Sequence, residues 1–266
     1  MQGYASLAQS FDRLAPRYGE LIEANPIHAY LRTRSLEWLD EAFRPGMHVL
    51  EIGCGTGTEA IHLARRGIEV VATDLSPAMV ELTRERVRAA GVENLVRVEQ
   101  CTAVDAGRRF DQASFDGAYA SFGPLNGEPR LHGAVAGLAD IVKPNASFIT
   151  SVVSRPCAVE LMLALTGRFN KAFRRLREET RMDLSGLGPV DVRAYSETEI
   201  RKAFFPRFRI ERLEGWLVVM PPPYLASSWM RLGPTREAVM LLDNRVRKTW
   251  PFRGWGDHLH VWARRA

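Results

Sequence analysis

The sequence has only three cysteines in 266 residues, Cys54, Cys101 and Cys157, far apart and without CxxC or Cys/His ligand spacing. Disulfides and a structural zinc site are therefore not expected, and a reducing, cytoplasmic setting is. No stretch reaches the ~18 uninterrupted apolar residues that a membrane-spanning helix needs. The N-terminal MQGYASLAQSFDRLAPRY lacks a basic segment followed by an apolar run, so no leader is expected either. Internal repeats, low-complexity tracts and an acidic cluster suited to Mg²⁺ are all missing, and no metal is expected. Neither sign of charge dominates: 36 Lys plus Arg against 31 Asp plus Glu leaves +5, a mild excess that disfavours nucleic acid as a partner. What is present is an ordinary globular composition, 46% hydrophobic and 25% charged, with length enough for one large α/β domain carrying an insertion. Nothing in it fixes the oligomeric state.

Residues 1–43 read as an N-terminal helical cover, with Leu7, Phe11 and Leu14, then Leu31, Leu36, Leu39 and Phe43, at helical spacing and breaks expected at Pro16 and Pro26. The rest, 44–266, alternates strand and helix. MHVLEIGCGTGTEAIHLARRG is a buried strand, a glycine-rich turn and an amphipathic helix; IEVVATD is a second strand. SPAMVELTRERVRAAG is a helix with Ser76 as N-cap, Pro77 at its first position and Gly91 beyond its end. LVRVEQ is a third strand, a polar loop spans Cys101 to Ala113, SFDGAYAS is a fourth strand, LHGAVAGLADIVK a helix and ASFITSVVS a fifth strand. Strands joined by such helices require right-handed crossovers and a parallel sheet covered on both faces. The alternation lapses over 156–195, read as a helix and a Gly/Pro-rich loop that form a lid inserted after strand 5. Ser196 and Glu199 have capping-box spacing, and RFRIERLEGWLVVM and DHLHVWARR supply strands six and seven.

Glu51-Ile52-Gly53-Cys54-Gly55-Thr56-Gly57 sets three alternating glycines between a buried strand and a helix. Glycine permits positive φ and close ligand approach, and the helix beyond it presents unpaired N–H groups. Asp74 ends the second strand close to the spacing at which a carboxylate meets a ribose in Rossmann-like folds. With these features VLEIGCGTG, VVATDLSPAMV, SFDGAYASFGPLN and LADIVKPNASFITSV resemble the class I S-adenosylmethionine (SAM)-dependent methyltransferases, in the branch of small bacterial enzymes. The resemblance covers nearly the whole chain. It implies an α/β, Rossmann-like seven-stranded sheet of order 3-2-1-4-5-7-6, with the last strand antiparallel. It also implies SAM as cofactor. Gly53, Cys54, Gly55 and Gly57 would then form the loop under its methionine part, with Glu51 beneath; Asp74 would accept from both ribose hydroxyls, and Leu75 and Met79 would pack on the adenine. Family members often carry an acidic residue after strand three where this chain has Thr102 and Ala103; Thr102 could accept one hydrogen bond, or Asp105 could serve from farther along. Pro144-Asn145 replaces the usual two glycines, a turn that Asn tolerates.

By the same resemblance Ser121 and Phe122 stand near the sulfonium and the acceptor, and Tyr18 near SAM. His28 and His132 are the histidines considered as general bases. Tyr224, in the rigid turn PPPY, and Trp229 are candidates for the acceptor pocket; PPPY lacks the Asn or Asp of amino-methylating nucleic-acid enzymes. Pro156-Cys157 reads as a buried thiol and not a nucleophile. The basic run Phe169 to Arg181 reads as a solvated helix face with Arg and Glu in pairing distance, in preference to a nucleic-acid or membrane contact. Leu161, Met162, Leu165, Phe169 and Phe173 in the lid, among arginines, suggest an apolar or amphipathic acceptor. The expected activity is methyl transfer from SAM to a small molecule at O or N. The alternatives are an RNA or protein methyltransferase and a SAM-binding protein without catalysis.

Overall fold

Val49, Leu50 and Ile52 are branched, apolar and buried on both sides, which suits the centre of a parallel sheet and makes β1 (His48–Ile52) its axis. The computed structural model describes residues 3–177, 180–183 and 189–266. Around β1 lie β2 (Glu69–Asp74), β3 (Val96–Gln100), β4 (Phe115–Ala120) and β5 (Val142–Val153), all parallel. A hairpin of β6 (Thr180–Asp183) and β7 (Pro189–Val192) stands apart, and β8 (Phe208–Trp216) and β9 (His258–Arg265) complete the main sheet. Its order is β3-β2-β1-β4-β5-β9-β8, with β9 antiparallel to both neighbours. Counted along the chain without the hairpin, that is the expected 3-2-1-4-5-7-6.

The crossover helices are preceded by α1 (Tyr4–Glu23) and α2 (Pro26–Ala42). On one sheet face α5 (Ala103–Arg109) and α6 (Leu131–Ile141) pack over Leu50, Ala118, Phe148 and Val261. On the other, α2, α3 (Thr58–Ala64) and α4 (Pro77–Ala89) cover Val49, Val70, Tyr119, Ile149 and Trp262. Ser76 caps α4 by accepting from the Met79 N–H at 3.1 Å, and Asn145 adopts φ 61°, so the turn survives the loss of glycine. Past β5 come α7 (Ala158–Met162), α8 (Phe169–Ala172), α9 (Glu197–Phe204), α10 (Ala226–Arg231) and α11 (Thr235–Val246). Ser196 and Glu199 form the capping box of α9.

Of four local expectations, three change and one holds. First, α1 runs through Pro16 instead of breaking there, although an interior proline removes a hydrogen bond. Burial of Leu7, Leu14 and Ala15 with Met79 offsets that loss, and Asp12 ties the helix to α4 by accepting from Ser76 Oγ (2.6 Å) and the Ala78 N–H (3.2 Å). Second, the expected break at Pro26 holds: the chain turns at Asn25, whose side chain caps α2, and Pro26 is the first residue of that helix. Third, the polar loop from Cys101 to Ala113 contains α5, nucleated by Thr102 as N-cap and packed on α6 where Gly107 and Gly137 meet backbone to backbone. Fourth, the lid is not one helix and a loop: short helical turns cover 158–176, and the β6–β7 hairpin follows. Residues 178–179 and most of the Gly/Pro-rich stretch, 184–188, lie outside the described residues.

Candidate active site

The carboxyl ends of β1, β2 and β4 form the floor of a cavity of about 1200 Å³, counted with its open mouth. As β1 ends, the N–H groups of Gly53 and Cys54 both donate to the Thr73 carbonyl, at 2.7 and 2.8 Å, which turns the glycine loop over the tip of β2. The loop's glycines have different reasons to be glycine. A Cβ on Gly53 would stand 2.4 Å from Pro124 Cγ, and one on Gly57 2.6 Å from Thr83 Cγ2; both glycines are in the left-handed region, at φ 72° and 70°. Gly55, at φ 52°, meets nothing closer than the Tyr18 ring at 3.9 Å. Open space over a positive-φ glycine is where a ligand can reach the backbone.

Beside it, Asp74 accepts from the Gly55 N–H through Oδ2 and from the Ser76 N–H through Oδ1, each at 2.9 Å. Burial pushes its carboxyl above the ordinary range, while these N–H donors pull the other way. The roof is α1: Tyr4, Leu7, Phe11 and Tyr18 line the cavity, and the Tyr4 hydroxyl donates to the buried Glu128 at 2.6 Å. Burial raises the Tyr18 phenol to about 12, and it stays neutral near neutrality. On the α2 side Arg32 pairs with Glu59 at 3.0 Å and lies 5.5 Å from the centre of the Phe122 ring. Phe122 itself is at φ 61°, with its N–H donating to Ser151 Oγ at 2.6 Å, and Ser121 Oγ is 3.2 Å from Ser35 Oγ.

Of the residues singled out in the sequence, Tyr18, Gly53, Cys54, Gly55, Asp74, Leu75, Met79, Thr102, Ala103, Ser121 and Phe122 all line this one cavity. Glu51 and Gly57 do not. Glu51 is buried behind the loop, its carboxyl raised well above the usual range by burial and then by Glu59; Gly57 packs on Thr83 and begins α3. Asp105 is also off the cavity wall, its carboxylate accepting from the Thr102 hydroxyl at 2.6 Å.

Several candidates lie elsewhere. His132 is exposed on α6, and His28 is half-buried on α2 near His258 and Asp257, away from the cavity wall. Tyr224 donates to Glu160 at 3.3 Å beneath the cations of Lys171 and Arg174, and Trp229 is buried in the core on the α2 face of the sheet. Neither lines the cavity. Cys157 is buried, its thiol raised to about 12 by burial. The lid's Met162, Leu165, Phe169 and Phe173 are exposed to solvent and also leave the cavity unlined. Sequence reading missed Tyr4, Arg32, Glu59, Cys101 and Glu128 as wall residues. The apolar stripe of α1 gave a hint for Tyr4. No local pattern marks the Arg32–Glu59 or Tyr4–Glu128 pairs, whose members meet only after folding.

Residues 49–145 match the model of a methyltransferase domain family. The chain is similar to a ubiquinone biosynthesis O-methyltransferase of Hahella chejuensis, 31% identical over 56% of this chain and 62% of that one. It is similar also to a demethylmenaquinone methyltransferase of Symbiobacterium thermophilum, 28% identical over 55% of this chain and 58% of that one. The chain thus spans about three fifths of the length of these curated relatives. Among solved structures it resembles the [4+2]-cyclase SpnF, at TM-score 0.68 and 16% identity, over 99% of this chain and 97% of that one. It also resembles geranyl diphosphate methyltransferase in complex with SAM, at TM-score 0.58 and 17% identity, over 90% and 85%. At such identities these two speak for the fold alone. The glycine loop and the carboxylate at the end of β2 lie within the stretch that matches the methyltransferase domain, and the sheet around them has the fold of these neighbours.

Proposed function

We propose that this protein transfers the methyl group of SAM to an oxygen or nitrogen of a small, apolar or amphipathic molecule. The observation that carries the reading is one cavity with two unlike halves: open backbone at Gly55 beside the Asp74 carboxylate, and an apolar roof of Leu7 and Phe11 with Val153 and Val192 on the wall. The first half fits SAM. Gly53, Cys54 and Gly55 would hold its methionine part, Asp74 has lone pairs left for two ribose hydroxyls, and Leu75, Met79 and Ala103 would cover a flat ring. Bound there, SAM supplies a methyl group already activated by its sulfonium charge.

The chain's own task is then alignment and exclusion of water. Helix α1 closes over the cavity from Tyr4 to Tyr18, and Arg32, held by Glu59 against Phe122, gives the wall a fixed cation. Glu128, fixed by Tyr4 and by the Arg130 N–H at 2.9 Å, is the acceptor group that a substrate O–H or N–H would meet at the roofed end. Neither His28 nor His132 lines the cavity, so the proposal assigns them no proton transfer. We place the protein in the cytoplasm, in keeping with three buried free thiols, and assign it no nucleic-acid partner. No helix among the described residues is long and apolar enough to cross a membrane.

Cell extract incubated with the protein and methyl-labelled SAM tests the reading by mass spectrometry. The expected result is a labelled small molecule and stoichiometric S-adenosylhomocysteine. The SpnF neighbour, a [4+2]-cyclase, makes a second outcome concrete, a product formed with no label while SAM is retained; fold does not fix chemistry, and that result would replace methyl transfer with a scaffold role for the cofactor.

A further inference from the structure

The first part of the insertion, 158–177, is patterned inside out. Met162, Leu165, Phe169, Phe173 and Leu176 are spread over its short helical turns, and all five are exposed, Leu165 to 85%. Its ionised groups are turned inward: buried Arg175 bonds Glu160 at 2.8 Å, the Asp257 carboxylate, and the Asp257 carbonyl at 2.9 Å, and Arg174 pairs with the same Glu160. The cations left outside are Arg168, Lys171 and Arg177. The only acid within 158–177 is the buried Glu160; Glu178 and Glu179 follow in the sequence, outside the described residues. Beside the insertion lies a second aromatic group, Trp250 (74% exposed), Phe252 and Trp255, joined to it where the Trp255 carbonyl accepts from the Ala158 N–H at 2.8 Å. Core-forming contacts thus use charge, and the solvent face uses large apolar side chains.

We propose that this face docks on an anionic lipid bilayer, with the apolar side chains entering the headgroup boundary and Arg168, Lys171 and Arg177 meeting lipid phosphates. Large exposed apolar side chains gathered in one short segment mark an interaction site. Aromatic residues interleaved with Lys and Arg suit a lipid interface, where apolar stems sink and charged heads stay at the headgroups. Charge selects this occupant over a second copy of the chain: a two-fold interface would set three cations of one face against the same three of the other, in a protein of net charge +5. The contact is peripheral, since no described helix can span a membrane. It is independent of the reaction proposed above.

Co-sedimentation of the full chain with vesicles of phosphatidylcholine containing phosphatidylglycerol tests it, beside vesicles of phosphatidylcholine alone. Wild type is expected to pellet with the anionic vesicles, less at high salt, and not with the neutral ones. The double variant Leu165→Ser/Phe169→Ser should partition at least ~10-fold more weakly, with unchanged melting temperature and S-adenosylhomocysteine affinity. Should that variant misfold, the exposed charge variant Arg168→Glu/Lys171→Glu gives the same loss on anionic vesicles. Absence of wild-type pelleting, equal pelleting with neutral vesicles, insensitivity to both variants, or a concentration-dependent dimer that the serine variants abolish would each overturn the proposal.

Discussion

The glycine loop with Asp74 and the insertion at 158–177 solve opposite problems with the same residue types. At the loop, a carboxylate and backbone N–H groups face a cavity, and apolar Leu75 and Met79 flank them. In the insertion, carboxylates and guanidinium groups are buried against one another and the apolar side chains face out. The difference is one of partner. A polar group pointed at a cavity keeps hydrogen-bonding capacity for something that arrives, whereas the Arg175 knot has used its capacity internally and serves to fix position. Burial alone would raise the Asp257 carboxyl, but the Arg175 charge, helped by His258, holds it far below the ordinary range.

The largest expected effect falls on the loop. Gly55→Val should abolish S-adenosylhomocysteine binding in calorimetry with the circular dichroism spectrum unchanged, because a branched side chain resists φ 52° and fills the open space. Retained tight binding would remove the loop from the site. Next, Arg175→Met should leave Glu160 and Asp257 buried without their cation, a change that costs ~3–5 kcal/mol. Rapid proteolysis confined to the insertion, with cofactor affinity within about twofold of wild type, would separate the two regions; a parallel loss of affinity would join them. Asp74→Ala should weaken SAM by at least ~10-fold, from a charge-assisted loss of ~1.5–3 kcal/mol. An unchanged Kd in the folded variant would contradict the ribose role.

The smallest effect concerns His28, whose pKa is lowered from 6.5 to about 4, by burial first and then by His258. A folded-state pKa below the unfolded one means that the unfolded chain binds more protons between these values, so stability is lost as pH falls from 6.5 towards 4. Half-burial reduces the contribution to ~1–2 kcal/mol, and His28→Asn should flatten the urea-unfolding free energy across that window by this amount. An identical slope in wild type and variant would rule His28 out as the source.

Local chemistry made the glycine-loop end of the cavity legible. Positive φ, N-caps and strand burial are decided within a few residues, so the glycine loop, Asp74, Ser76 and the order of elements could be read from short windows. The element readings that changed were decided by longer-range packing: Pro16 is carried through α1 by contacts with α4, and α5 is held by the close approach of Gly107 and Gly137. The sequence by itself therefore determined the strands, their alternation with helices and most of the residues at the glycine-loop end of the cavity, while the order of the strands in the sheet came from the family resemblance. Only the tertiary structure decided which way the insertion faces. An arginine-rich amphipathic stretch can turn either side inward, and the choice fell to Asp257, eighty-two residues away from Arg175, which gives the buried guanidinium its second carboxylate and so leaves the apolar side outside.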